Sequence, residues 1–164
     1  MLIGGRRLAA VALATLASAV SAAGPKLLPA EEAFRLSARA LDAKTVEIRY
    51  DVADGYYLYR DKLRFVVEPA PIGALAPVLP SGKLHEDPFF GTSTIYRGPA
   101  VIRLPITAAK PGDRITLVAD SQGCADAGVC YPPHRQTLQI VLPNAGAPPG
   151  PPVEAAPRKK SYFN

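Results

Sequence analysis

The hydrophobic pattern along this chain has a period of two, which is typical of β-strands with one buried face. Val46, Ile48, Tyr50 and Val52 show it best, because a charged residue separates each from the next. The same period recurs at 34–40, 63–67, 101–106, 115–119 and 138–142. A helical turn is favoured at 29–34. Short strands with almost no helical period predict an all-β sandwich.

Turn and breaker residues separate the predicted strands. Asp54-Gly55 and Pro111-Gly112-Asp113 are turn sequences, and Pro105 predicts an edge position or a bulge for its strand. Residues 69–82 contain four prolines and two glycines, so we expect a loop with at most a short edge strand there. From Pro143 the chain is rich in proline, alanine and glycine, which predicts a flexible or extended tail.

Two groups of aromatic residues are unusual for their surroundings. Three of the seven tyrosines fall within 56–59, which favours either packing in a strand or a ring surface beside a site. Phe89 and Phe90 are adjacent in the segment 84–93, which its proline, glycine and charges predict to be a loop. Adjacent phenylalanines are rare in exposed loops unless the rings cover something. Two interpretations remain open: one of the rings fills the core, or a ring covers a site.

The only two cysteines, Cys124 and Cys130, lie in a segment that also holds Gly123 and Gly128. Since glycine tolerates positive φ, this segment can turn sharply enough to bring the sulfurs together. A disulfide here would close a small loop worth roughly 2–2.5 kcal/mol, near the low end for disulfides. A structural staple, a bond that opens and closes, and a metal site with His134 are the three interpretations. Zinc sites usually have closer cysteines and four ligands, so the metal site is least favoured.

Residues 1–23 have the pattern of a secretory signal peptide. Arg6 and Arg7 precede a short alanine-rich apolar run, and Ser21-Ala22-Ala23 provides small residues for cleavage. The run is shorter than the roughly 20 residues of a comfortable membrane span, so a cleaved leader is favoured over an uncleaved anchor. Export would put both cysteines in a compartment where disulfides persist. The expected organisation is a leader at 1–23, a domain at 24–143 and a basic tail or linker at 144–164.

The net charge of +5 comes mostly from the two ends of the chain. Residues 24–143 hold 14 Lys and Arg against 13 Asp and Glu, so the expected domain is close to neutral. No basic stripe remains to favour a nucleic acid as partner. Nothing in the sequence calls for a metal or an organic cofactor, and we expect a monomer.

Four motifs in order resemble a known family. They are Asp54–Arg60, His85–Gly91, Ile95–Arg97 and Gly123–Pro133. The chain resembles, over roughly residues 28–143, the amino-terminal periplasmic domain of DsbD, the bacterial thiol:disulfide interchange protein. The resemblance implies an immunoglobulin-like β-sandwich with a redox-active disulfide loop and a cap loop.

The resemblance also implies roles for individual residues. Cys130 would form the mixed disulfide with a partner, and Cys124 would resolve it, so the Cys124–Cys130 bond would be reversible. An aromatic ring near Phe89 would cover the sulfurs until a partner displaces it. The other residues expected at the site are Glu86, Asp87 and Phe90 of the cap loop and the rings of Tyr57 and Tyr59. We expect the carboxylates of the cap loop to raise the pKa of a nearby thiol.

This chain departs from the family pattern in two ways. The family can have an acidic residue before the cap phenylalanine, where this chain has Pro88, which stiffens the cap and removes one charge. A full family member continues into membrane spans and a thioredoxin-like domain, whereas nothing after Pro143 can span a membrane. We therefore expect either a separately encoded domain or a fragment of a longer protein.

The function implied by the resemblance is that of a periplasmic thiol:disulfide oxidoreductase, one component of a protein-disulfide reductase. Electrons would come from a thioredoxin-like or membrane domain of a DsbD-type reductase. They would pass to periplasmic disulfide isomerases and to thioredoxin-like proteins of cytochrome c maturation. The alternative is a secreted β-sandwich binding module whose disulfide is purely structural.

Overall fold

The structure is a computed structural model that describes residues 26–156. The predicted signal peptide at 1–23 and the basic end of the tail lie outside the described residues. Within the described part, no helix is long and apolar enough to cross a membrane.

A one-turn helix, α1 (Ala30–Ala33), precedes the strands. The strands are β1 (Phe34–Ala40), β2 (Thr45–Val52), β3 (Tyr56–Tyr59), β4 (Arg64–Glu68), β5 (Lys83–Asp87), β6 (Gly91–Tyr96), β7 (Pro99–Pro105), β8 (Arg114–Ser121), β9 (Gly123–Ala125), β10 (Val129–Cys130), β11 (His134–Val141) and β12 (Val153–Glu154). A 3-10 helix, Arg60–Lys62, joins β3 to β4. The predicted all-β class and the helical turn near residue 30 are confirmed.

Two antiparallel sheets form the sandwich. One has the order β12-β1-β2-β7 and the other the order β11-β8-β4. Each strand of these sheets that is seven residues or longer alternates buried and more exposed positions. The buried side chains of both sheets meet in one core, in which Ile48, Leu104, Leu117 and Leu138 are fully or almost fully buried. The period of two thus decides which face of each strand is removed from water.

A third sheet, here called the site sheet, has the order β10-β9-β3-β6-β5. Its strands continue those of the sandwich, because β8 leads directly through Gln122 into β9, and β6 leads through Arg97 and Gly98 into β7. The site sheet therefore extends one end of the sandwich, and strands from both main sheets hold it in place.

The prediction of a loop over 84–93 is wrong. This segment is a β-hairpin, in which β5 and β6 pair from Lys83↔Ile95 to Asp87↔Gly91. The alternation was hidden because β5 lies at a sheet edge, where Leu84 and Glu86 are both exposed. The three-residue connection 88–90 ends at Gly91, whose φ of +65° is the left-handed conformation that such hairpins use.

Two segments rich in proline pair with the first sheet. Residues 69–82 make isolated bridges, Ala74↔Ile106 and Val78↔Arg103, alongside β7. β7 is the edge strand of its sheet, as Pro105 predicts. In the predicted tail, β12 pairs with β1 at Ser37 and Ala38, so this part of the chain is extended and held against the sandwich.

Candidate functional site

The two cysteines are bonded to each other across a tight hairpin. Cys124 of β9 lies directly opposite Cys130 of β10, with their Cα atoms 4.0 Å apart. Gly128, at φ +81°, closes the turn between the two strands. Cys124 is fully buried, whereas Cys130 is partly exposed. A reagent from solution therefore reaches the Cys130 sulfur more readily than the Cys124 sulfur.

Gly123 allows β9 to lie close against the rest of the molecule. A Cβ atom at this position would come within 2.4 Å of the Tyr57 carbonyl oxygen and 2.6 Å of the Phe34 ring. Tyr57 belongs to β3 of the site sheet and Phe34 to β1 of the sandwich. The absence of a side chain thus fixes the depth at which Cys124 sits.

The Tyr59 hydroxyl is the polar group that contacts the sulfurs. It lies 3.2 Å from Cys124 Sγ and 4.0 Å from Cys130 Sγ. The Tyr57 ring packs edge-on against the Tyr59 ring with centroids 5.5 Å apart. Both tyrosines belong to β3, and Tyr57 pairs directly with Cys124. The two tyrosine rings thus form an aromatic surface beside the cysteines.

Asp87 places a buried carboxylate next to the same tyrosines. Its Oδ2 accepts hydrogen bonds from the hydroxyls of Tyr57 and Tyr59, each at 2.5 Å. Its Oδ1 accepts from the backbone N–H groups of Phe89 and Phe90 at 2.7 and 3.0 Å. Burial alone raises the pKa of Asp87, but these four hydrogen bonds outweigh it and lower the pKa from 3.8 to about 2. The carboxyl is therefore ionised at neutral pH.

The tyrosines respond in the opposite direction. Burial, followed by the hydrogen bond to Asp87, raises the pKa of Tyr57 and of Tyr59. Both remain protonated at neutral pH. Since each hydroxyl has one hydrogen and gives it to Asp87, the Tyr59 oxygen can only accept a hydrogen bond from a Cys124 thiol.

The β5–β6 hairpin is here called the cap hairpin. Its tip places one phenylalanine against the site. The Phe90 ring contacts the Tyr59 ring edge-on at 4.9 Å, and Lys62 Nζ lies 4.5 Å from the Phe90 ring centroid. Phe89 is more exposed, at 54% against 40% for Phe90. Glu86 is exposed and accepts a hydrogen bond from Thr92 rather than contacting the tyrosines. The structure thus brings Asp87 and Phe90 to the site and leaves Glu86 and Phe89 at its edge.

An ion pair that the sequence does not predict stabilises the β9–β10 hairpin. Arg97 donates two hydrogen bonds to Asp126, in the β9–β10 turn, at 3.0 and 2.8 Å. The guanidinium carbon of Arg97 also lies 5.1 Å from the Tyr57 ring centroid, and the His85 ring packs 4.7 Å from the same ring. Arg97 and Asp126 both belong to motifs noted in the sequence, but nothing in their spacing indicates that they pair.

The structure offers a different set of candidate metal ligands from the one considered in the sequence. Among the described residues, the group that could offer metal ligands near the cysteines is Asp87, Cys124 and Cys130, with atoms within 4.8 Å of one another. His134, the third ligand considered from the sequence, does not belong to this group. While the sulfurs are bonded to each other, neither is the thiolate that a metal binds.

The comparisons with known proteins decide the family. A family model described as the N-terminal domain of thiol:disulfide interchange protein DsbD matches residues 24–142. The chain belongs to this family. Its relatives include DsbD of Ralstonia nicotianae, 42% identical over 89% of this chain, and DsbD 2 of Pseudomonas aeruginosa, 46% identical over 69%. DsbD of Escherichia coli is 38% identical over 75% of this chain. The chain spans 24%, 18% and 21% of the length of these three relatives.

Solved structures of the same family are similar to this one, among them two from Neisseria meningitidis. The reduced form of the DsbD N-terminal domain of Neisseria meningitidis has a TM-score of 0.68 at 34% identity, over 79% of this chain and 96% of that chain. A complex between the DsbD and PilB N-terminal domains of the same organism has a TM-score of 0.58 at 38% identity, over 70% and 88%. The immunoglobulin-like β-sandwich implied by the resemblance therefore agrees with solved members of the family.

Proposed function

We propose that this domain carries electron pairs between proteins through reversible opening of the Cys124–Cys130 disulfide. The observation that carries the proposal is the unequal exposure of the two bonded cysteines. Exchange requires an attacking sulfur to approach a disulfide in line and unobstructed. Cys130 is the more exposed of the two cysteines, and Cys124 is fully buried next to Tyr59.

The exchange consists of two displacements. In the reduced domain, the Cys130 thiolate attacks the partner's disulfide, which forms a Cys130–partner disulfide and releases one partner thiolate. The Cys124 thiol then loses its proton and attacks Cys130 Sγ, which re-forms the Cys124–Cys130 bond and releases the second partner thiolate. The partner gains two electrons and, at neutral pH, two protons. A dithiol donor reduces the domain again by the same steps in reverse.

Membership of the family supports a proposal for the compartment and the partners. A periplasmic location, reached through a cleaved signal peptide, would let both sulfurs meet an oxidised pool. The solved complex of a Neisseria DsbD N-terminal domain with a PilB N-terminal domain supports a protein as exchange partner. The donor in this proposal is the thioredoxin-like or membrane domain of a DsbD-type reductase, and the acceptors are periplasmic disulfide isomerases and thioredoxin-like proteins of cytochrome c maturation.

The redox equilibrium of the disulfide tests this function. We expect a reduction potential above about −300 mV, the value below which structural disulfides usually lie. The measurement is the fraction of oxidised domain at equilibrium with dithiothreitol or glutathione buffers. A disulfide that stays oxidised in all of these buffers would favour the alternative function, a binding module with a structural disulfide.

Trapping assigns the two cysteines. A Cys124→Ala domain should accumulate a mixed disulfide with a thioredoxin-like partner, because the sulfur that resolves the complex is absent. The matched Cys130→Ala domain should trap at least tenfold less, since its remaining sulfur is buried. Gel electrophoresis without reductant, followed by mass spectrometry, measures both. Equal trapping by the two variants would contradict the assigned roles.

A further inference from the structure

A shallow groove lies next to the cap hairpin and is not part of the cysteine site. Its volume is about 430 Å³. It is lined by Lys62, Arg64, Asp120, Gln122, Pro133 and Arg135. These residues come from β4, β8 and β11 and their flanks, so the groove lies where the three-stranded sheet meets the site sheet. We call it the basic groove.

Contacts at both sides of the basic groove place it beside Cys130. On one side, Lys62 lies over the ring of Phe90, which contacts Tyr59. On the other side, Gln122 donates a hydrogen bond of 3.3 Å to the carbonyl oxygen of Tyr131, the residue after Cys130. A polypeptide that presents a disulfide to Cys130 therefore has this groove within reach of its neighbouring side chains.

The charges of the groove are not balanced. Arg135 makes two hydrogen bonds to Asp120, at 2.7 and 2.8 Å, so these two charges offset each other. The Arg64 guanidinium donates to the backbone carbonyl oxygens of Asp61 and Leu63, which fix its position but carry no formal charge. Within residues 26–156, neither Lys62 nor Arg64 has a carboxylate oxygen within 4.0 Å. Two cations thus remain available in a domain that is nearly neutral as a whole.

The surroundings of Cys130 add an apolar component. Phe89, Phe90 and Val129 are 54%, 40% and 42% exposed. Exposed apolar side chains rimmed by charge are typical of protein–protein interaction sites. An open groove with two cations next to exposed apolar side chains fits a protein partner better than a small thiol.

We propose that the basic groove selects exchange partners that carry acidic side chains close to the disulfide they present to Cys130. This inference rests on the proposed function and names the chemistry of its partners. The two cations of the groove, which have no carboxylate partner, raise the encounter rate of an acidic polypeptide and lower that of a basic one. Because Lys62 and Arg64 are exposed, salt screens this selection.

A pair of peptides provides the test. Both contain the same internal disulfide, and they differ only in three residues beside it, which are Glu in one peptide and Lys in the other. The domain is first reduced, and its oxidation by each peptide is timed at about 0.01 M and about 1 M salt, where the Debye lengths are about 30 and 3 Å. We expect the Glu peptide to react about tenfold faster at low salt and the two rates to converge at high salt.

Variants connect the preference to the groove. The double change Lys62→Gln and Arg64→Gln should reduce the rate ratio to about one, and Lys62→Glu with Arg64→Glu should reverse it. The control is Lys110→Glu with Arg114→Glu, which makes the same change in net charge at the opposite end of β8 and should preserve the ratio. The Gln variant keeps the test valid if the Glu variant folds poorly.

The possible failures are distinct. If neither peptide is reduced by the domain, the proposed exchange function is wrong. If both peptides are reduced at equal rates, or if the Gln variant keeps the wild-type ratio, the domain exchanges disulfides but the basic groove does not select its partners. The ratio of rates is used because any change in the intrinsic reactivity of the domain affects both peptides alike.

Discussion

Asp87 carries a negative charge in a nearly closed site, and the groups that stabilise it are neutral. Only 5% of the residue is exposed. Buried charges normally need a counterion or a full set of hydrogen bonds, and Asp87 has the second through two tyrosine hydroxyls and two backbone N–H groups. The charge therefore holds β3 and the cap hairpin together, and one of its oxygens lies within 4.8 Å of both sulfurs.

The dependence of stability on pH should show this charge. A carboxyl whose pKa falls on folding stabilises the folded state above its unfolded pKa, and this contribution disappears as the pH falls through the folded pKa. For Asp87 the window runs from about 4 down to about 2. The free energy of unfolding of wild type minus that of Asp87→Asn should therefore fall by about 2 kcal/mol between pH 6 and pH 2.

Chemical denaturation at each pH measures this difference. Tyr57→Phe, which removes one donor, should lose part of the fall, because the folded pKa of Asp87 then lies closer to its ordinary value. A difference between wild type and Asp87→Asn that does not change with pH would contradict the ionised state assigned to Asp87.

Among the structural elements, the cap hairpin connects the buried groups of the site to an exposed apolar surface. Asp87 holds the end of β5 next to the tip of this hairpin, and the tip carries two phenylalanines of unequal exposure. Phe90 is the ring in contact with Tyr59, whereas the resemblance assigned the cover to the region of Phe89. A side chain that packs on Tyr59 restricts the approach to the sulfurs behind it.

Replacing each phenylalanine by alanine tests which of the two rings acts as the lid, that is, covers the sulfurs. Phe90→Ala should speed the reduction of the disulfide by dithiothreitol about two- to tenfold, because the ring that shields Tyr59 is lost. Phe89→Ala is the matched control and should change the rate less. Stopped-flow measurement of the reduction rate compares the two. An acceleration in Phe89→Ala alone would assign the lid to Phe89 and contradict the choice of Phe90.

The same hairpin marks the limit of prediction from the sequence. The sandwich strands could be read from their period of two, because one face of each lies in the core. The cap hairpin and β12 could not, because edge strands expose both faces and proline obscures their pattern. Cys124 and Cys130 are identified by residue type alone, and the tyrosines by their clustering, whereas the assignment of Asp87 to the site needed the family resemblance. The Arg97–Asp126 pair depends on register, which spacing does not reveal.

Across the whole molecule, the site sheet is fastened to the sandwich where β9 crosses β1. Gly123 lies at this crossing, against the Phe34 ring, which itself packs on Tyr56 and Tyr131 at 6.1 and 5.5 Å. The hydroxyl of Tyr131 donates to the carbonyl oxygen of Leu28, so the start of the described chain joins the same cluster. Packing at Gly123 thus affects both the core and the cysteine site.

A single added methyl group tests this crossing. Gly123→Ala should destabilise the domain by about 1–3 kcal/mol, because the neighbours at 2.4 and 2.6 Å must move. Gly150→Ala is the control, since its new Cβ would meet its nearest atoms at 3.6 and 3.7 Å, an ordinary contact. Urea denaturation of both variants measures the loss. Equal stability of the two would mean that β9 can shift without disturbing the core.

The direct pairing of Cys124 with Cys130 has a kinetic consequence for the proposed exchange. Backbone hydrogen bonds of the hairpin, and not the sulfur–sulfur bond alone, hold the two strands in register. The resolving thiol therefore stays beside its target at a high effective molarity when the disulfide opens. Release of the partner should be a fast intramolecular step. The overall rate of exchange is then set by the approach of the partner, and the covalent intermediate of the unmodified domain should be too brief to accumulate.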